Sequence, residues 1–448
     1  MIICLFFMLL ALVCINYKVA DCDFFNPSVL ASGSFVLFSF FSCLSYLYIG
    51  IDIETVSIFF VIGIGLGIFT INGYLFSSQK KKENLIFEKE IFPADVNAVW
   101  LLSAVFILLL TLYVNYNYIS AFGSMYGASD FFTAIVQYKA IMTFHDADDI
   151  LLPPPWYRNY LSLFSTVFAY LFSYLFMREK IYKRQFQWGY FLVIVLYGIY
   201  TLMGGGRSGL FQLITALLFF WYAFSKSNAT NPISNKKILA RLMIIGLAII
   251  IGFVFFIVAI GRTQNDFDIE YVISSVFVYA GAPIFNLDIY LQNPWSQTHG
   301  LWGELTFIRL INWIGTKFSI SSFVYELDLP FLSYLNYNLG NVYTTFYAFY
   351  YDFQFIGVVL LSIGMSLLSI WLYNKVLKQN LQKVHISLVT IYYAYLVNDL
   401  IMLPFSNRFY EDVINVGTLY KAILLFILVY YLNHYEFSFQ RGLKLMRK

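Results

Sequence analysis

Apolar residues run through this chain in long, nearly unbroken blocks rather than at the two-residue or 3.6-residue periods of half-buried strands and helices. Blocks close to the roughly 18–20 residues that cross a hydrocarbon core recur from end to end. They predict helices near 2–17, 29–50, 56–76, 98–114, 160–177, 186–203, 209–224, 242–260, 353–373, 386–403 and 413–432. The pattern therefore predicts an all-α polytopic membrane protein of about eleven transmembrane helices, with residues 1–448 as one integral membrane domain.

Most breaks between the blocks are short, but two run long, at about 115–159 and 261–352, the second between spans eight and nine. Loops of that length are either functional or disordered, and neither has the polar composition of disorder. The second is rich in Trp, Tyr, Phe and Leu and carries helix-like stretches such as GELTFIRLINWIG (303–315), which predicts that it folds back onto the membrane surface. No internal repeat and no inverted pair of broken helices, the usual pointer to a secondary transporter, is found in the sequence.

Composition agrees with the pattern. Only 12% of residues are charged, about half of what a soluble domain carries, while 60% are hydrophobic. The mean hydropathy is +0.71. The net charge of +3 says less than its distribution. Alternate inter-span segments hold twenty Lys and Arg residues on one side, among them Lys80–Lys82, Arg178, Lys236, Lys375 and Lys448. The other side holds seven: Lys139, Arg158, Arg207, Arg262, Arg309, Lys317 and Arg408. The positive-inside rule then puts the N-terminus outside, the C-terminus in the cytoplasm and both long loops outside. The first 18 residues lack a basic start and a small-residue cleavage site, so they read as the first span. Cys4, Cys14, Cys22 and Cys43 fall in or beside the first two spans without metal or redox spacing. With no Walker loop and no GxGxxG after a strand, neither a cofactor, a metal nor a nucleic-acid partner is expected.

Candidate chemistry sits on the sparsely charged exterior side. Arg207 lies in GGGRSG (204–209), where a glycine run lets backbone N–H groups and a guanidinium converge on an anion. A tight turn with a snorkelling arginine is the alternative. Arg262 in GRTQND (261–266), Arg309 and Arg408 are further exterior cations suited to a diphosphate, unless each pairs with a carboxylate: Arg262 with Asp266 or Asp268, Arg408 with Glu411 or Asp412. For a general base the candidates are His299 in QTHGLWGE, Glu304 and Asp399. On a helix Glu304 would lie about 140° round from Arg309, too far for a side-by-side pair. Asp399, at the exterior end of span ten, is a functional candidate by its depth or the neutraliser of an arginine. The HDADD run (145–149) before PPPWYRN reads as a solvated turn rather than a metal site. Interfacial belts account for most of the aromatic content, leaving Trp302 and Trp313, which flank exterior arginines, as functional candidates.

These segments carry a family resemblance. GGGRSGLF (204–211) opening a hydrophobic helix, GRTQND after span eight, the large exterior loop and NVYTTFYAFYYDFQFIGVV (341–359) resemble the Wzy-type O-antigen and oligosaccharide repeat-unit polymerases of the bacterial envelope. The resemblance covers the central and C-terminal two-thirds, and it departs from the family pattern at Gln354, where glycine is expected after Asp352-Phe353. It implies a glycosyltransferase of the inner membrane that joins undecaprenyl-diphosphate-linked oligosaccharides at the periplasmic face. Its other expected partners are membrane lipid and a chain-length regulator protein. Arg207 and Arg262 would hold the diphosphate by matched motif, Arg309 and Arg408 by position. The neighbouring possibilities are an O-antigen ligase, which uses the same donor, and a lipid-linked oligosaccharide flippase.

Overall fold

A computed structural model describes residues 1–76, 96–144, 152–227, 234–241, 244, 246, 269–326, 329–335, 337–381, 386–438 and 444–447. Span eight, expected at 242–260, lies almost wholly outside the described residues, as do Arg262 and the HDADD run. Elsewhere helices stand where the apolar blocks predict them. Among the described residues, eight are long and apolar enough to cross a membrane: α1 (Ile2–Val19), α2 (Pro27–Ile49), α3 (Ser57–Phe76), α4 (Ala98–Met125), α6 (Trp156–Tyr182), α8 (Ser208–Ser227), α11 (Thr345–Leu377) and α14 (Val416–His434). The 24-residue α9 (Ile269–Gln292) and the shorter α5 (Phe131–Phe144), α7 (Trp188–Met203), α10 (Ile308–Phe318), α12 (Leu388–Ile401) and α13 (Arg408–Val413), with two hairpins, complete the elements used below. The chain is an all-α polytopic membrane protein in its main architecture.

The contacts divide it into two compact units: residues 1–80, 233–375 and 399–415 in the first, and 81–232, 376–398 and 416–448 in the second. In the first unit α2 is the spine, packed against α1, α3 and α9. Its sequence explains this role, because Ser28, Ser32, Ser34, Ser39, Ser42 and Ser45 are buried along it and let neighbouring backbones come close. Ser42 Oγ donates to the Gly281 carbonyl of α9 at 3.2 Å.

Helix α9 lies where no helix was expected. Residues 269–292 fall in the segment expected as exterior loop, yet Ala282, Ile284, Phe285 and Leu287 are essentially inaccessible. Pro283, Asn286 and Asp288 interrupt its hydropathy and hid it. Both polar side chains are bonded within the unit: Asn286 Nδ2 donates to the Val342 carbonyl at 2.8 Å, and Asp288 accepts from the backbone N–H groups of Glu54 and Thr55 at 2.7 and 3.0 Å. The described part of the large segment between α9 and α11 thus narrows to 293–344, with α10 and a bulged hairpin of Leu332–Tyr334 and Tyr337–Gly340 inside it.

In the second unit α6 packs on α4, α7, α8 and α14. The described part of the other long segment, expected as exterior, is also largely helical, since α4 runs on to Met125 and α5 folds against it. Tyr118, Ile119 and Phe122 of α4 close over Ala134, Tyr138 and Ile141 of α5 and Met203 of α7, giving this end its own apolar cluster. A short hairpin, Tyr435–Ser438 with Lys444–Arg447, ends the chain.

Candidate functional site

Two carboxylates organise the 293–344 segment of the first unit. Glu304, 2% exposed, accepts from the N–H groups of Thr298, His299 and Leu301 at 2.9, 3.0 and 3.2 Å, and from the Tyr351 hydroxyl at 2.8 Å. Its two oxygens are thereby occupied in tying the 298–301 turn to α11. Asp352 does the same from the other direction, accepting from the N–H groups of Leu305 and Thr306 at 3.2 and 2.6 Å. Asn407 adds a third tie by donating to the Thr306 carbonyl at 3.1 Å. Asn312 of α10 both donates to the Tyr325 carbonyl and accepts from its N–H, at 2.8 and 3.2 Å.

The result is a cavity of about 60 Å³ walled by Trp295, Tyr325, Tyr347 and Tyr351 and carrying His299 and Glu326. It is far smaller than the roughly 300–1,000 Å³ of pockets that engulf a drug-sized ligand, so it suits one hydroxyl-bearing edge of a larger molecule. Its walls are fixed by their own bonds: Trp295 Nε1 donates to the Tyr347 hydroxyl at 3.1 Å, and Tyr343 stacks on Tyr347 at 4.2 Å. Tyr325 donates its hydroxyl to the Glu304 carbonyl at 2.7 Å; burial, and then the Glu304 charge, hold its phenol above the ordinary range and keep it a donor. The exposed His299 ring lies on the Tyr325 ring with centroids 4.2 Å apart. An imidazole so placed can accept a proton from a bound hydroxyl, and the exposed carboxylate of Glu326 lines the same cavity.

The other sequence candidates of the first unit lie outside that lining. Arg309 Nη1 contacts Asp412 at 2.8 Å and its Nη2 contacts Glu411 at 3.5 Å, while Arg408 Nη1 reaches Glu411 at 3.8 Å. Two arginines and two carboxylates here make a charge-balanced cluster, the pairing foreseen for Arg408 and extended to Arg309. Burial raises the Glu411 carboxyl above its ordinary range, with Arg408 and Arg309 pulling it back. Asp399 is 3% exposed near the end of α12. Trp302 is 83% exposed, edge-on to Phe353, and Trp313 is 40% exposed on α10.

Arg207 belongs to the second unit. It precedes the first turn of α8, where its carbonyl accepts from Phe211 N–H at 3.0 Å. The glycine run before it follows from packing: Gly205 has φ +67°, and a Cβ there would lie 2.8 Å from Cβ of Lys139. The turn is thus pressed onto α5, which places Lys139 beside the segment that carries Arg207. Among the described residues no group of three or more His, Cys, Asp or Glu side chains could hold a metal ion.

No known protein family, curated protein or solved structure matches the chain. Its function is therefore argued from the residues alone. Sequence reasoning missed Glu326, which stands in no motif and is drawn to His299 only by the fold of the 293–344 segment. It also passed over Arg158, whose flanking prolines and aromatics suggest no more than the rigid start of a span.

Proposed function

We propose that this chain is a membrane glycosyltransferase that joins lipid-diphosphate-linked oligosaccharide repeat units into a surface polysaccharide at the exterior face of a bacterial inner membrane. The observation that carries this reading is a cavity, in a unit that also holds membrane-length helices, that combines aromatic walls with an imidazole and an exposed carboxylate. Aromatic walls suit the apolar faces of sugar rings, and the polar pair suits a sugar hydroxyl. In the reaction the bond between the donor's anomeric carbon and its diphosphate oxygen breaks, and the acceptor hydroxyl oxygen forms the new bond to that carbon. His299 or Glu326 takes the hydroxyl proton. The departing lipid diphosphate keeps the bonding electrons, and a guanidinium fork is the side chain best suited to stabilise that charge electrostatically.

The test is deletion of the gene in its own host, with surface glycolipids resolved on a gel and the wild-type gene restored as control. Lipid anchors capped by a single repeat support a polymerase, because export and attachment survive. Absence of capped anchors points to a flippase or ligase instead, and unchanged long polymer overturns the proposal.

A further inference from the structure

Several arginines and a lysine of this chain face carboxylates. Arg309 and Arg408 face Glu411 and Asp412, and at the far end of α6 Arg178 and Lys183 face Glu179. Arg158 differs. It stands in the first turn of α6, partly exposed, and its guanidinium meets no carboxylate among the described residues. Nε donates to Asn115 Oδ1 at 2.7 Å and Nη2 to the Tyr138 hydroxyl at 3.1 Å. The guanidinium carbon lies 4.5 Å from the Tyr118 ring centre and 5.5 Å from that of Tyr138.

Each holder is itself held. Asn115 donates its amide to the Thr111 carbonyl at 2.8 Å, which turns its oxygen toward Arg158. Tyr118 donates its hydroxyl to the Leu152 carbonyl at 2.9 Å, and Tyr138 is 8% exposed in the α4–α5 cluster. The arginine is therefore oriented before any ligand arrives, by groups that are themselves neutral, with no carboxylate against it among the described residues. Two of its five N–H groups are used in the cage, so the outer edge of the fork remains for a bidentate acceptor. Exposed Trp156, Tyr157 and Tyr160 (75%, 44% and 59%) surround it in sequence, the residue types of a headgroup-level belt. Lys139 follows Tyr138 on α5, and the turn before Arg207 packs on that lysine.

We propose that Arg158 is the principal ligand of a phosphoryl-binding site in the second unit, receiving the phosphate or diphosphate of a lipid at headgroup depth, with Lys139 and Arg207 adding positive charge. The inference rests on the proposed function only where that lipid is the prenyl diphosphate donor; the anion site itself does not.

The test is isothermal titration calorimetry of the full chain in a neutral, phosphate-free detergent. Farnesyl diphosphate, phosphatidylglycerol and inorganic pyrophosphate are titrated into wild type, Arg158→Gln, Arg158→Lys and Tyr138→Phe, with a melting curve of each variant. Saturable binding is expected, weakened at least tenfold in Arg158→Gln and partly kept in Arg158→Lys, which has the charge without the fork. Tyr138→Phe, which loosens the cage without touching the charge, should bind more weakly than wild type. Farnesyl diphosphate binding best identifies a prenyl donor, equal binding of phosphatidylglycerol a membrane headgroup, and equal binding of pyrophosphate a free anion; all three uphold the phosphoryl site. No saturable binding to wild type, or folded Arg158→Gln binding as wild type does, overturns it. Binding that depends on Arg158 in a protein whose deletion leaves polymer intact would defeat the polymerase reading and leave this site standing.

Discussion

Exposure separates the two acids of the cavity, and with it their expected tasks. Glu304 accepts three backbone N–H groups and a phenol while buried, so Glu304→Gln should cost about 1–3 kcal/mol by orphaning donors it now satisfies. A lowered melting temperature checks it. Glu326 and His299 are exposed and line the cavity, so Glu326→Gln and His299→Gln should leave melting unchanged. Whichever is the proton acceptor should lose roughly 10²–10⁴-fold of polymer formation in membrane vesicles supplied with lipid-linked repeats. If both variants kept full activity, neither would take the proton. Glu411 allows a pH experiment. Its carboxyl is raised by burial and restrained by Arg408 and Arg309, so removing Arg309 should raise it further. A raised folded-state value favours the folded form below the unfolded carboxyl's ordinary value of about 4.3, and that advantage is lost as pH climbs through the folded value. Arg309→Gln should therefore melt close to wild type near pH 4 and fall progressively below it toward pH 7.

At the scale of elements the decisive feature is the break inside α11. Gln354 adopts φ 55°, ψ −147°, a conformation that belongs almost exclusively to glycine, and it stands at the position where the family resemblance implies glycine. The break turns the chain so sharply that a Cβ on Gly357 would lie 2.3 Å from the Phe349 carbonyl oxygen. Gln354→Gly should thus stabilise the protein by about 1 kcal/mol through relief of strain, less what glycine's flexibility costs in the unfolded chain. Gly357→Ala should destabilise it, and the opposite order of melting temperatures would contradict the bend. Much else at this scale was legible beforehand. Apolar blocks announce their helices because lipid-facing positions need no polar alternation, and α1, α3 and α14 stand where their blocks lie. α9 was not legible, since Asn286 and Asp288 read as loop residues until backbone groups from elsewhere in the unit hydrogen-bond to them. The extension of α4 was masked in the same way by Asn115, whose partner Arg158 is distant in sequence. The site was legible only in part: His299 was visible as a lone titratable group in an exterior loop, whereas the role of Glu304 as a tie depended on a turn that no local signal encodes.

For the whole molecule the open quantity is sidedness, and α9 makes it measurable. At 24 residues α9 would extend about 36 Å, long enough to cross a hydrocarbon core. Basic residues near 236–241 and at Lys375 argue that both positions face the cytoplasm, which requires that α9 not change sides. Three exposed positions of the first unit decide the matter: Lys236, Thr298 and Lys375. With Cys4, Cys14, Cys22 and Cys43 replaced by serine, each position is changed to cysteine in turn and treated in intact cells with a membrane-impermeant maleimide. If α9 stays on one side, Thr298→Cys is labelled from outside, while Lys236→Cys and Lys375→Cys react only after permeabilisation. If α9 crosses, Lys236→Cys and Lys375→Cys must lie on opposite faces, because the number of crossings between them becomes odd. The first outcome is expected. It would put His299 and Glu326 where an exported, lipid-linked glycan can reach them, whereas labelling of Thr298→Cys only after permeabilisation would remove the cavity from that substrate and with it the proposed reaction.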